Sequence, residues 1–260
     1  LANANALTGR FFMALKKVCD FEVITLSGGV KENVIPKDAA FSLLVKQADL
    51  AVVEKELADF NAEIKAEYAS ADPNANLVMA SAGVSDAYVL DDESMGKLIT
   101  ALNLMPNGVQ AMCIDLPGLV ETSLNMGVMK VDATEIKVSF SLRSSVVSAK
   151  EYLAAKLKQM TEMLGGTVAF RGDYPAWPYA RESKLRDLCL KVYKEQTGKE
   201  AEVEVIHAGL ECGILSSKIE GLDCISLGPD MFDVHTPDEK ISISSIARVW
   251  EFLKAVMAEK

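Results

Sequence analysis

Ile225-Ser226-Leu227-Gly228-Pro229-Asp230-Met231-Phe232-Asp233-Val234-His235-Thr236-Pro237-Asp238-Glu239 reads as a buried strand, a tight turn, and a loop that carries one histidine among carboxylates. The strand covers 224–227. Gly228-Pro229 stops it, because proline offers no ladder donor and glycine allows a sharp change of direction. Past the strand end the chain sets a single imidazole near Asp233, Asp238 and Glu239. Ligands in open α/β sheets bind outside the carboxyl ends of strands, so His235 stands where chemistry is expected. Position alone does not make it a ligand. A lone loop histidine is more often a surface group, and the acidic pair after it equally suits a capping box opening the last helix.

The segments around that stretch set the fold class of its neighbourhood. Tyr174-Pro175-Ala176-Trp177-Pro178 is too proline-rich for regular structure and reads as a linker or a loop lining a site. After it the pattern predicts a helix over 183–197, a strand over 202–206, a short helix opened by Gly209-Leu210-Glu211-Cys212-Gly213, the strand over 223–227, and a closing helix over 244–257. Alternation of that kind indicates a parallel sheet flanked by helices.

The first part of the chain has a different rhythm. Leu7, Phe11, Phe12, Leu15 and Val18 fall on one side of an opening helix. Strands are expected over 21–26 and 39–45 with Ser27-Gly28-Gly29-Val30 turning between them, and an amphipathic helix over 49–68 has Leu50, Val53, Leu57, Phe60 and Ile64 as its apolar stripe. A second round follows. An extended run over 77–89 leads to a helix over 91–104 ended by Met105-Pro106-Asn107-Gly108, then paired strands over 120–129 and 135–143, a helix over 148–164 and a strand over 168–170. Helix, strand, strand, helix is the skeleton of a two-layer α+β sandwich, and its coarse recurrence points to a pseudo-repeat.

Composition narrows the function classes. The chain has 260 residues, half of them apolar, and a formal net charge of −10, which argues against a phosphate backbone as partner. No membrane span and no secretory signal are expected, since no apolar run reaches the length of either pattern. The five cysteines (Cys19, Cys113, Cys189, Cys212 and Cys224) are odd in number, widely spaced and set in apolar segments. That suits free thiols in a reducing, cytoplasmic compartment better than disulfides or a zinc knuckle.

Several strings together carry a resemblance. Ile206-His207-Ala208-Gly209-Leu210-Glu211-Cys212-Gly213, Ser226-Leu227-Gly228-Pro229 with His235-Thr236-Pro237-Asp238-Glu239, and Thr122-Ser123-Leu124-Asn125-Met126-Gly127-Val128 resemble the bacterial aminoacylhistidine (Xaa-His) dipeptidases. So do Asn3-Ala4-Asn5, Gly28-Gly29 with Asn33-Val34-Ile35-Pro36, and Met105-Pro106-Asn107-Gly108-Val109. The match runs in order over nearly the whole chain.

The resemblance implies a dizinc peptidase in which a lid domain is inserted into an α/β catalytic domain, closes over the substrate and forms the contact of a homodimer. Residues 1–172 resemble that lid, and 173–260 resemble the C-terminal part of the catalytic domain. His235 matches a metal-ligating histidine. Arg143 matches the lid arginine that pairs with the terminal carboxylate of the dipeptide, a task suited to its planar fork of donors. Asn3, Gly209 and Glu211 match positions near the substrate, although Glu211 at a helix start has an ordinary role as a dipole partner. From spacing alone Arg143 would be a surface arginine at a strand end. Only the resemblance makes it a site residue.

The family mechanism uses water held between two zinc ions and a glutamate base. The remaining metal ligands and that base lie upstream of the lid in the family. This chain is therefore expected to be a fragment that does not hold both zinc ions and does not hydrolyse peptides alone. Two other readings stand beside this one: a non-catalytic dimerisation or binding fragment, and a related zinc exopeptidase or N-acyl amino acid amidohydrolase.

Overall fold

Helix α1 (Ala4–Leu15) starts where Asn3, in an extended conformation, accepts the Ala6 N–H on its side-chain oxygen at 3.1 Å, the usual arrangement of an N-cap. Its inner side carries Phe11, Phe12 and Leu15, all buried. The Phe12 ring meets Phe41 edge-on at 4.9 Å and Phe21 at 5.5 Å, while Phe11 meets Phe60 at 5.3 Å. Helices α2 (Leu50–Glu67) and α3 (Asp92–Leu104) pack beside α1 and contribute Val53, Phe60, Ile64, Leu98 and Leu102. Gly9 lets α3 come close, since a Cβ there would lie 2.5 Å from that of Leu102.

These helices cover one face of a five-stranded antiparallel sheet made of β1 (Phe21–Gly28), β2 (Ala39–Val45), β3 (Gly108–Met112), β4 (Val120–Val131) and β5 (Ile136–Ser144). Strand β4 is the hub. Strand β5 pairs along one edge of it from Thr122 to Val131, so β3 (at 120–124) and β1 (at 129–131) must share the other edge. Two bulges keep the apolar side chains facing the helices. The register slips at Ile24 in β1 and at Gly127 in β4, and each slip resets the alternation of faces. Leu124 and Met126 before the bulge, and Met129 and Val131 after it, are thereby all buried. Helix α4 (Val147–Met163) adds Leu153 and Leu157 against Leu124, Phe140 and Leu142. Burying side chains of this size contributes about 1.5–3 kcal/mol each. The opposite face is polar, as antiparallel sheets permit.

The computed structural model describes residues 1–114, 116–205, 211–234 and 236–259. The chain divides into two compact units, Leu1–Ser144 with Ser148–Phe170, and Ser145–Val147 with Arg171–Lys260. In the second, α5 (Lys184–Thr197) is capped by Ser183, whose hydroxyl accepts the Arg186 N–H at 3.0 Å and donates to Asp223 at 2.6 Å. Asp223 also accepts the Leu185 N–H at 2.8 Å. That backbone bond, then the Ser183 hydroxyl, holds the carboxyl below its usual value. Helix α7 (Ile243–Ala258) packs on α5 through Phe252 and Tyr193, rings 6.2 Å apart, and through Lys191 and Glu259 at 2.8 Å. A short helix α6 (Glu211–Lys218) and the hairpin β6 (Met231–Phe232) and β7 (Lys240–Ile241) complete it.

Ser183→Ala is expected to cost about 1 kcal/mol, the usual worth of an N-cap, read as a lower urea midpoint. The Asp223 contribution has a definite sign. Its folded value is depressed, so the stabilisation is complete above the unfolded value near about 3.9 and is lost as pH falls through the lower folded one. Acid titration of Asp223→Asn should therefore lack the part of the loss that this carboxylate causes in the parent.

The mixed α/β class expected from sequence is the class observed, and helices and strands of the first 150 residues fall within a few positions of expectation. Several expectations fail. The segments over 202–205 and 223–227 form no ladder, and Leu227 is 42% exposed rather than buried. The only ladder of the second unit among the described residues is the antiparallel β6–β7 pair, so these residues pair in no parallel sheet. An apolar run fixes a strand only when neighbours take its N–H and C=O groups. The strand expected over 168–170 is irregular for the same reason, while 77–89, expected only as an extended run, joins no ladder. A strand, β3, follows the Asn107-Gly108 helix stop, where none was expected, and the two rounds of elements merge into one sheet instead of repeating. The last helix is opened by Ser242, which accepts the Ser245 N–H at 3.3 Å, and not by an acidic pair.

Candidate functional site

The candidate metal loop lies between β6 and β7, and its framework is tightly bonded. Asp233 takes a left-handed conformation, φ 54°, and no other non-glycine among the described residues has positive φ. Such a conformation persists only where surrounding bonds over-determine it. Here the Asp233 carbonyl accepts the Thr236 N–H at 3.1 Å and its hydroxyl at 2.7 Å, the Thr236 hydroxyl accepts the Asp238 N–H at 3.2 Å, and the Thr236 carbonyl accepts the Glu239 N–H at 3.2 Å. Lys240 donates to the Asp233 carboxylate at 2.8 Å.

The base of the loop is tied to α7. The Ser245 hydroxyl accepts the Asp230 N–H at 2.9 Å, the Ser242 N–H donates to the Asp230 carbonyl at 3.0 Å, and Arg248 pairs with the Asp230 carboxylate at 2.9 Å. His235 itself, like Gly209, lies outside the described residues. Among the described residues no group of three or more His, Cys, Asp or Glu is arranged to hold a metal ion, and Asp233 is engaged by Lys240. These residues alone do not fit a pair of zinc ions.

Arg143 is on β5 directly opposite Ser123. Residues opposite one another in an antiparallel pair share a face, and alternation puts Leu124 and Leu142 on the other face, in the core. Arg143 therefore stands on the polar face, half-buried, with Ser123, Ser141 and Asn125 as face neighbours. Glu211 is the first residue of α6 and exposed, where its charge favours the helix dipole.

Asn3 sits in a feature that sequence reasoning missed. Between the reaches of β3 and β1, residues 125–128 of β4 have no strand on that edge. Side-chain amides fill the gap. Asn107 accepts the Met126 N–H at 2.8 Å, and the Met126 carbonyl accepts from Asn3 at 3.2 Å and from Asn5 at 3.3 Å. Carboxamides thus stand in for the peptide groups of a missing strand, satisfying backbone that burial would otherwise penalise. Asn3 also reaches Asn125 at 3.4 Å, and Asn125 donates to the carbonyls of Glu32 and Val34, both at 2.8 Å. Asn3 is in this way one hydrogen bond from the polar face that carries Arg143. The available signal was the recurrence of Asn beside small residues in Asn3-Ala4-Asn5, Asn107-Gly108 and Asn125-Met126-Gly127.

Comparison with known proteins gives concordant matches. Residues 1–72 match the Peptidase dimerisation domain of the M20 group. The whole chain is 32% identical to the cytosol non-specific dipeptidase of Escherichia coli (strain K12), covering 53% of that protein. The crystal structure of aminoacylhistidine dipeptidase from Vibrio alginolyticus superposes with a TM-score of 0.88 at 29% identity, over 98% of this chain and 52% of that one. The chain thus spans about half the length of these relatives. The resemblance read from the motifs is borne out. No helix of the described residues is long and apolar enough to cross a membrane.

Proposed function

Given a chain related along its whole length to M20 dipeptidases, we propose that it supplies the dimerisation lid (1–172) and the C-terminal part of the catalytic domain (173–260) of a metal-dependent enzyme that hydrolyses Xaa-His dipeptides in the cytoplasm. The observation that carries this is the continuous match of 260 residues to about half of a dipeptidase. Its partners are the dipeptide and a second copy of the chain, and its cofactor is a pair of zinc ions of which His235 ligates one. Arg143 takes the terminal carboxylate of the substrate, and Asn3, Gly209 and Glu211 are the further substrate-binding residues of this reading.

The second unit supports the idea that further sequence completes it. Helix α7 has two apolar stripes. Val249, Phe252 and Val256 turn inward, but Ile243, Ile246, Trp250, Leu253 and Met257 form a second line at alternating spacings of three and four, with Trp250 61% exposed and Met257 82%. A helix apolar over so wide an arc is one that other elements cover. The extended segments over 202–205 and 223–227 likewise have backbone that a sheet would pair.

The test compares the 260-residue chain with a form joined to the preceding half of the Escherichia coli relative, measuring zinc content and Xaa-His hydrolysis. The chain alone should be inactive and the joined form active, and Arg143→Ala in the joined form should lower kcat/KM by about 10- to 100-fold, the worth of a charged hydrogen-bonded pair. Hydrolysis by the chain alone would refute the fragment reading. A zinc-loaded joined form that prefers N-acyl amino acids would instead indicate the amidohydrolase.

A further inference from the structure

Two of the five cysteines, distant in sequence, are side by side in the second unit. Cys212 is in the first turn of α6, and its thiol donates at 3.6 Å to the carbonyl of Ile225, the residue next to Cys224, which brings the two cysteines together. Both residues are held from outside. The residue before Cys224 is Asp223, bound to the Ser183 hydroxyl and the Leu185 N–H. The residue after Cys212 is Gly213, which packs so tightly on the 175–177 segment that a Cβ would lie 2.9 Å from the Pro175 carbonyl oxygen. Cys224 also lines an open groove of about 710 Å³ with Trp177, Tyr179, Arg186 and Asp223. Both cysteines are reduced and partly exposed.

We propose that Cys212 and Cys224 form a dithiol that hydrogen peroxide oxidises to a disulfide, fastening the start of α6 to the segment that leads into the 231–241 hairpin. This rests on the thiol geometry and is independent of the peptidase reading. The step balances as follows. Cys224, on the groove, loses its proton and attacks one peroxide oxygen; the O–O bond breaks, leaving a sulfenic acid, and the departing hydroxide takes the proton as water. The Cys212 sulfur then attacks the sulfenic sulfur, the S–O bond breaks, and the thiol proton leaves with that oxygen as a second water. The order of roles follows from position: Cys224 lines the groove and meets the peroxide first, whereas Cys212 is not on it, and burial, then the neighbouring Cys224, pushes the Cys212 thiol up to about 11.

Peptide mapping tests it. Trypsin cuts after Lys199, Lys218 and Lys240, placing the two cysteines in separate peptides, 200–218 and 219–240. After brief peroxide treatment of the folded chain these should appear as one linked species, about 2 Da lighter than their sum and separated by dithiothreitol. The same treatment in guanidinium should scatter linkage among all five cysteines. Cys19→Ser should leave the linked species intact and Cys224→Ser should abolish it. Sulfinic acid at Cys224 without linkage, or equal yields of the link in folded and denatured chain, would overturn the proposal.

Discussion

Gly127→Ala is expected to destabilise the first unit by about 1–3 kcal/mol or more, the range for an atom forced into a filled site. A Cβ at 127 would lie 2.3–2.6 Å from the carbonyl oxygen, Cα and carbonyl carbon of Glu32. These are backbone atoms of a segment that cannot easily retreat. Asn125 holds the Glu32 and Val34 carbonyls, and Pro36 accepts the Ala4 N–H at 3.0 Å. From the other side, Gly29 has φ +73° and a Cβ there would lie 1.8 Å from the Gly127 carbonyl oxygen. Gly29→Ala therefore adds a left-handed backbone cost of about 1–2 kcal/mol to a similar clash. Both substitutions push apart the same pair of backbones, so in a double-mutant cycle the combined loss should fall short of the sum. Strict additivity of the urea midpoints would show that the two contacts are separate.

Phe12→Ala should cost about 3–5 kcal/mol, the range for removing a fully buried aromatic ring. That is a large share of the roughly 5–15 kcal/mol by which a domain is stable. Phe12 is 0% exposed and lies between Phe21 and Phe41, so its loss empties the junction between α1 and the sheet, and Phe41 is itself stacked on Phe11. Met13, next in the chain and 45% exposed, provides the comparison. Met13→Ala should stay within about 0.5 kcal/mol. Equal losses from the two variants, measured by urea denaturation, would contradict the assigned core.

Much of the first unit was legible because its signals are local. The period of Phe11, Phe12 and Leu15 places α1, and the apolar and β-branched run from Phe21 to Leu26 places β1, although the slip at Ile24 breaks its alternation. What escaped was pairing. Nothing near Gly127 announces that the residue is a bulge, nor that β1 and β3 leave a gap on β4 for Asn3, Asn5 and Asn107 to fill, because each partner is remote in sequence. In the second unit the apolar run over 223–227 was legible as strand-forming sequence, yet strands exist only with neighbours. The candidate site was legible through the resemblance, while periodicity alone gave Arg143 no special standing. The Cys212 and Cys224 pair carried no sequence signal, since their contact depends on how α6 folds back.

The hairpin around 231–241 has only two residues in each strand, too little for an independent cooperative unit. Its footing is the polar side of α7, through Ser245 and Arg248. In hydrogen-exchange terms the loop belongs to the foldon of that helix: the Asp230 and Ser242 amides open when α7 loosens. Whatever seats Trp250 and Met257 thus also sets how long the turn at Asp233 keeps its shape.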